Sequence, residues 1–343
     1  MENSPDESGC VMHGEFSTLP ATGNGSYAKF DRCLKNLLTY EKAASSDGPH
    51  WFKDLLSLWR PSGHPSDADG LRLAVRNGYL SFYRLGQSIA RVECASGELV
   101  ADVHYKYVLG DQPGYAGPVY LRLSTQGIFS RDSLVPAYGG IDTLRKWIAC
   151  VNEKYAGDEK SIVDQLVEAN DHVIDLEMAL PAWTVPKVAV RMDLVAIENR
   201  QVVFWEVKTV NDSRIRCRAE FTKDTFPEVL DQLSKYRDFL TQPSHVQQVE
   251  RAYRETAVLL VKLRAMADAI CPMPLALGSS IIAASKVERL AVAPVAALVV
   301  VDLPKDKKQS WNSWKLSHES KLQGRIPMRV MESAGPLVFE GAL

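Results

Sequence analysis

One segment limits the fold more than any other: Arg191-Met-Asp-Leu-Val-Ala-Ile-Glu-Asn-Arg-Gln-Val-Val-Phe-Trp-Glu-Val-Lys208. Asn199 and Arg200 separate two runs rich in β-branched, aromatic and other apolar residues, the pattern of a two-stranded hairpin. The second run, Val202, Val203, Phe204, Trp205 and Val207, is apolar on both of its faces. Such a strand needs cover on both sides, so the chain has to build layers around it.

Hydrophobic periodicity supplies those layers. It predicts a helix over about 159–172, strands over about 173–179, 187–198 and 201–210, and helices over about 226–241 and 244–270. A buried strand is expected over about 295–303, a helix near 309–322 and a last strand near 326–331. The order αβββαβ, with one extra helix, implies an α/β (α+β) fold in which helices flank a mixed sheet.

The first half reads differently. Phe30, Cys33, Leu34, Leu37 and Leu38, then Trp51, Leu55, Leu56 and Trp59, recur at helical spacing within residues 28–60. Short strands follow from Leu71 to about Thr125, with an Asn77-Gly78 hairpin turn, as an antiparallel meander. Another helix is expected over Ile141–Val151. The divisions are therefore a Ser-, Gly- and acid-rich N-terminus (1–26), a helical and antiparallel-β domain (27–153) and a second domain (154–343), with the joint at 153–157.

Composition excludes little. The 343 residues carry 40 basic and 42 acidic side chains, a net charge of -2, so nucleic-acid binding would need a local basic groove. The six cysteines are scattered without a CxxC, which points to a reducing cytoplasm rather than to zinc or disulfides. The first 26 residues lack the features of a signal peptide. Leu290–Leu303 contains Pro294 and is too short to span a bilayer, so a cytoplasmic chain without a membrane partner is expected. The histidines are isolated, and there is no phosphate-binding Gly-rich loop followed by Lys-Ser/Thr.

The chemistry lies in the hairpin. With a two-residue turn at Asn199-Arg200, Asp193 falls directly across from Glu206, and Lys208 shares the face of Glu206. Two carboxylates side by side in an apolar setting repel each other, and a divalent cation removes that repulsion; the hard oxygen donors suit Mg²⁺ or Mn²⁺. Lys208 can orient a water and stabilise phosphate charge, so the set suits phosphodiester hydrolysis. Taken alone, an Asp with an ExK also reads as an ordinary cross-strand salt bridge.

Asp193, Glu206 and Lys208 resemble the PD-(D/E)xK nuclease superfamily, although Met192 stands where the motif has its proline. The resemblance covers about residues 157–305 and implies a restriction-endonuclease-like fold, a Mg²⁺-dependent deoxyribonuclease activity and a DNA substrate. In that family the first core helix often supplies another carboxylate. Glu159 shares a face with Val163, Leu166 and Asn170 and is preferred over Glu168 as the inward acid, with a first-turn acid complementing the helix dipole as the other reading. Gln232 and Tyr236, at i and i+4 after the ExK, look like the QxxxY helix of the RecB-like subgroup, where they support the site or the substrate. Catalytic roles thus fall to Asp193, Glu206, Lys208, Glu159, Gln232 and Tyr236, and metal ligation to Asp193, Glu206 and Glu159.

The loop bearing Arg214, Arg216, Arg218 and Lys223 reads either as a grip on a DNA backbone or as a solvated loop. The N-terminal domain is expected to meet substrate or a protein partner, and a dimer is compatible with the resemblance. Phage defence or DNA repair enters by family analogy alone. Two other readings stay open: a nuclease fold that has lost its chemistry and serves as a scaffold, and a sequence-specific restriction-type endonuclease.

Overall fold

A computed structural model describes residues 29–110, 116–129, 135–181, 191–216, 227–271, 274–302 and 312–340. It is a mixed α/β structure with two sheets. The first sheet is an antiparallel meander in sequence order: β1 (Arg72–Val75), β2 (Tyr79–Arg84), β3 (Gln87–Ala95), β4 (Glu98–His104) and β5 (Tyr120–Leu123). Asn77-Gly78 makes the first turn, with Gly78 at φ +87°, a conformation most side chains resist.

The helices before it are α1 (Leu37–Ser45) and α2 (Trp51–Ser57). Residues 29–36 are not helical, against the helix expected across 28–60. The Phe30 N–H instead donates to Gln248 Oε1 at 2.9 Å, and its ring lies 5.8 Å from that of Tyr253. The apolar spacing is real, but a tertiary anchor uses it in place of a helix. A short α3 (Tyr105–Val108) and then α4 (Ile141–Lys154) complete the first half.

The second sheet runs β11-β10-β8-β7-β6, with β9 also pairing β8. Its elements are α5 (Asp158–Ala169), β6 (Val173–Ala179), β7 (Arg191–Glu198), β8 (Gln201–Thr209), α6 (Val229–Leu240), α7 (Pro243–Asp268), α8 (Ser279–Ala284), β9 (Ala291–Val292), β10 (Ala297–Val301) and β11 (Met328–Met331). The two antiparallel pairings, β6 with β7 and β7 with β8, meet parallel β9 and β10 on β8, so the sheet is mixed. Val203, Trp205 and Val207 of β8 pack with Ile162, Val163 and Leu166 of α5, while Val202 and Phe204 join the cluster of Tyr236 and Tyr253 from α6 and α7. Both faces of β8 are covered, as its composition requires.

α7 is 26 residues long and begins at Pro243, where a missing N–H costs nothing. Its buried side, from Val249 through Tyr253, Thr256 and Leu260 to Ala267, recurs every three or four residues. It packs on α1, α2 and β1 as well as on α6, α8 and β6. The buried apolar cluster therefore runs continuously from Phe30 and the meander into the second sheet.

A carboxylate fixes this junction. Asp175 on β6 is 1% exposed and meets Arg76 Nη1 from the end of β1 at 2.5 Å. Arg32 Nη2 lies at 3.4 Å, and Tyr253 Oη donates at 3.1 Å. Burial works against the Arg76 charge, but Asp175 outweighs it and holds the guanidinium above its ordinary pKa. A second link joins Arg72 Nε to Asp164 on α5 at 2.8 Å. No helix among the described residues is long and apolar enough to cross a membrane. Asp175→Ala leaves two buried cations unpaired, and urea denaturation should register a loss of about 3–5 kcal/mol; a loss below about 1 kcal/mol would remove Asp175 as the fixing point.

Candidate functional site

The β7–β8 hairpin has the register its turn implies: Glu198 faces Gln201 and Leu194 faces Trp205. Asn199 and Arg200 both take positive φ, 50° and 62°, as a two-residue type I′ turn demands. Asp193 lies one step beyond the last of these pairs, on the level of Glu206. Its Oδ2 accepts a hydrogen bond from the Val207 N–H at 2.7 Å. Lys208 donates to Glu206 Oε1 and, at 2.8 Å, to the Val207 carbonyl. Its Nζ is 3.9 Å from Asp193 Oδ2. The three side chains thus converge, with the ammonium close to both carboxylates.

Burial dominates the electrostatics. Glu206 and Lys208 are 2% and 1% exposed. Desolvation, then the charge of Asp193, pushes the Glu206 carboxyl up to about 8. Desolvation likewise raises Asp193, against the pull of Lys208. Burial opposes the Lys208 charge, but Asp193 and Glu206 outweigh it and hold the ammonium above its ordinary pKa. Glu206 Oε2 is buried without a hydrogen-bond partner. A half-used carboxylate beside a second one fits a hard divalent cation, which would take that oxygen and relieve the crowding. Among the described residues no three His, Cys, Asp or Glu side chains already form a ligand cage.

Other carboxylates surround the pair. Glu159 stands in the first turn of α5, half-buried, whereas Glu168 is exposed. Burial raises the Glu159 carboxyl, with Asp193 adding to the rise and the Lys208 and Arg214 charges opposing it; Arg214 Nη2 lies 3.6 Å from Glu159 Oε2. Asp212 caps the 3-10 turn Ser213–Ile215 by accepting the Arg214 N–H at 2.8 Å, and it binds the Arg214 guanidinium at 2.6 Å. Burial works to raise Asp212, but these bonds prevail and hold it below the usual range.

Glu177 on β6 is the least expected member. The β6–β7 register places it on the level of Asp193, between Leu176 opposite Leu194 and Met178 opposite Met192. Its φ is +49°. Strand alternation breaks there: Leu176 and Leu194 join the α5-side cluster, while Met178 and Met192 join the opposite one. The sheet thus switches face at the Glu177/Asp193 level. Burial, then Asp193, lifts Glu177 to about 7.

The remaining expected residues divide. Gln232 Nε2 donates to the Arg191 carbonyl at 3.3 Å, and its amide lies close enough to Glu206 to lower that carboxyl's pKa. Tyr236 is fully buried, 5.6 Å from the Phe204 ring, with its hydroxyl 4.0 Å from Met178 Sδ; it backs the site from the core and reaches no surface. Arg214 is held at the rim by Asp212 and lies 3.6 Å from Glu159. Arg216 is turned to the Val210 carbonyl at 2.8 Å. Arg218 and Lys223 lie outside the described residues. Glu177 and Asp212 were not anticipated. For Glu177 a signal existed, since Asp175 and Glu177 interrupt an apolar strand as Glu206 and Lys208 do.

Comparison with family models, curated proteins and solved structures finds no match for this chain.

Raised carboxyl pKa values carry a pH signature. The native state keeps the Glu206 proton up to about 8, while the unfolded chain releases it near 4.5. Stability from this group is complete below the unfolded value and is lost as pH rises toward 8. In the absence of divalent cations, urea midpoints should fall across that window, and Glu206→Gln should make the fall shallower. An unchanged slope in the variant would refute the assignment.

Proposed function

We propose that this chain is a metal-dependent nuclease of the PD-(D/E)xK kind, built on a restriction-endonuclease-like sheet. The observation that carries the reading is the convergence of Asp193, Glu206 and Lys208 on one hairpin, with a buried Glu206 oxygen left unpaired. A structural salt bridge would need only one carboxylate for Lys208. Here two carboxylates, with Glu159 and Glu177 nearby, face one ammonium.

Asp193, Glu206 and Glu159 would hold Mg²⁺ or Mn²⁺, which when bound supplies Lewis acidity toward a phosphoryl oxygen and a more acidic water. Lys208 donates hydrogen bonds to the attacking water or to a non-bridging oxygen and offsets the charge that develops there. Gln232 orients Glu206, and Arg214 at the rim meets the phosphate. Water oxygen bonds to phosphorus as the bond to the 3′ oxygen breaks, leaving a 5′-phosphate and a 3′-hydroxyl. DNA is the proposed substrate.

The test is cleavage of labelled single- and double-stranded DNA and RNA in Mg²⁺, Mn²⁺ or EDTA. Asp193→Ala and Lys208→Ala should each lower the rate by about 10²–10³ or more. Manganese binding followed by calorimetry should weaken in Asp193→Ala independently of any cleavage. Cutting that survives EDTA, or survives both substitutions, would reject the mechanism. Metal-free, inactive protein under every condition would return the site to a structural ion pair.

A further inference from the structure

One guanidinium beside the carboxylates is shared unequally between two acids. Arg214 Nη2 lies 2.6 Å from Asp212 Oδ2 and 3.6 Å from Glu159 Oε2. The first distance is a charge-assisted hydrogen bond, and the second is an ion pair that falls short of one. Arg214 Nε also donates to Asp212, at 3.0 Å to Oδ1 and 3.2 Å to Oδ2, so two of its nitrogens grip the same carboxylate. Glu159 faces the guanidinium without closing on it.

The inequality has a local cause. Asp212 accepts the Arg214 N–H at 2.8 Å, the Asx turn that opens the 3-10 turn Ser213–Ile215. That bond holds the carboxylate beside the residue two positions on, so the pairing needs nothing from α5. The Asp212 side chain is 8% exposed, and a carboxylate so poorly hydrated keeps its cation close.

Without that grip, charge dictates where Arg214 goes. Glu159, Asp193 and Glu206 are the carboxylates proposed to hold a divalent cation, and the charges of Glu159 and Glu206 both act on Arg214. A guanidinium is a flat fork of donors that matches a carboxylate. Released from Asp212, it would close the gap to Glu159 and occupy its oxygens as an internal counter-ion. A divalent cation would then have to displace it. Lys208 has no such freedom, because it is 1% exposed and anchored by Glu206 and by the Val207 carbonyl.

We propose that Asp212 is a positioning residue of the metal site: it ties Arg214 back, so that Glu159 stays open to a divalent cation and the guanidinium stays at the rim. The proposal rests on the nuclease reading for the cation itself and adds what keeps one of its ligands free. It gives Asp212 a task beyond capping a turn.

The test is Mn²⁺ titrated into the full chain by calorimetry, with no nucleic acid present. Asp212→Asn keeps the cap, since asparagine serves there as well as aspartate, and removes the charge. It should weaken Mn²⁺ binding about fivefold or more, whereas Arg214→Gln removes the competitor and should tighten binding about threefold or more. The double variant decides: with no guanidinium left to restrain, Asp212→Asn should change the affinity less than about twofold. Melting curves establish that each variant folds, and Asp212→Ser, which also caps, replaces the asparagine if it does not. An equal loss with and without Arg214 makes Asp212 an ordinary neighbouring charge and overturns the proposal, as does unchanged binding in Asp212→Asn. Failure of the nuclease reading looks different: Mn²⁺ binds, the losses are not additive, and neither DNA nor RNA is cut. Cleavage together with additive losses keeps the nuclease and rejects the restraint, and an unaltered chain that binds no Mn²⁺ rejects both.

Discussion

Desolvation of Glu206 and Lys208 on β8 governs the second half of the molecule. The strand is sealed by α5 on one side and by α6 and α7 on the other, so water cannot stabilise either charge. A lone buried ion costs several kcal/mol, and even a pair recovers that only with good geometry. The local structure meets this cost in stages. Lys208 divides its donors among Glu206, the Val207 carbonyl and the vicinity of Asp193. Asp193 is in turn held by the Val207 N–H, beyond the last regular pair of the hairpin. What is left over is a second carboxyl that keeps its proton beside a single ammonium, and one unsatisfied oxygen. That imbalance separates the constellation from an ordinary ion pair and makes it a candidate for cation-assisted chemistry.

The same constraint explains the neighbourhood. Glu159, Asp212 and Glu177 reach the pair from a helix terminus, a capped turn and a kinked strand, three structures that can place a carboxylate at the border of a core without burying it fully. Arg214 balances two of them at the rim. On the far side of β6, Asp175 performs the opposite task, gathering Arg32 and Arg76 from the first half into the interface.

Much of this was legible in the residues. The hairpin register follows from a two-residue turn and strand parity, which are local. Glu159 could be told from Glu168 because helical spacing puts one beside the apolar stripe and the other opposite it. The meander followed from short apolar runs and Asn77-Gly78. What was not legible depends on contacts between distant segments. Residues 29–36 carry a helical spacing that Gln248 and Tyr253 override. Glu177 becomes a neighbour of Asp193 only through a positive φ that no local rule requires of a glutamate. The loop arginines looked available in the sequence, yet Arg214 and Arg216 are held by Asp212 and by a backbone carbonyl.

The anchor between Phe30 and α7 has a consequence for how the chain matures. Phe30 and its partner Gln248 are 218 positions apart, and Arg32 and Asp175 are 143 apart. Contacts of such span close late, because each must first overcome the entropy of a long loop. During synthesis the first half leaves the ribosome well before β6 and α7 exist, with an apolar edge and two arginines lacking their acid. The meander can pair its own strands in that interval, and the Cys33 carbonyl can already accept from the Gly78 N–H, but Phe30 and Arg32 still lack Gln248 and Asp175. Completion of the fold therefore waits on α7, and until it arrives the nascent chain is a substrate for chaperones and proteases rather than a finished domain.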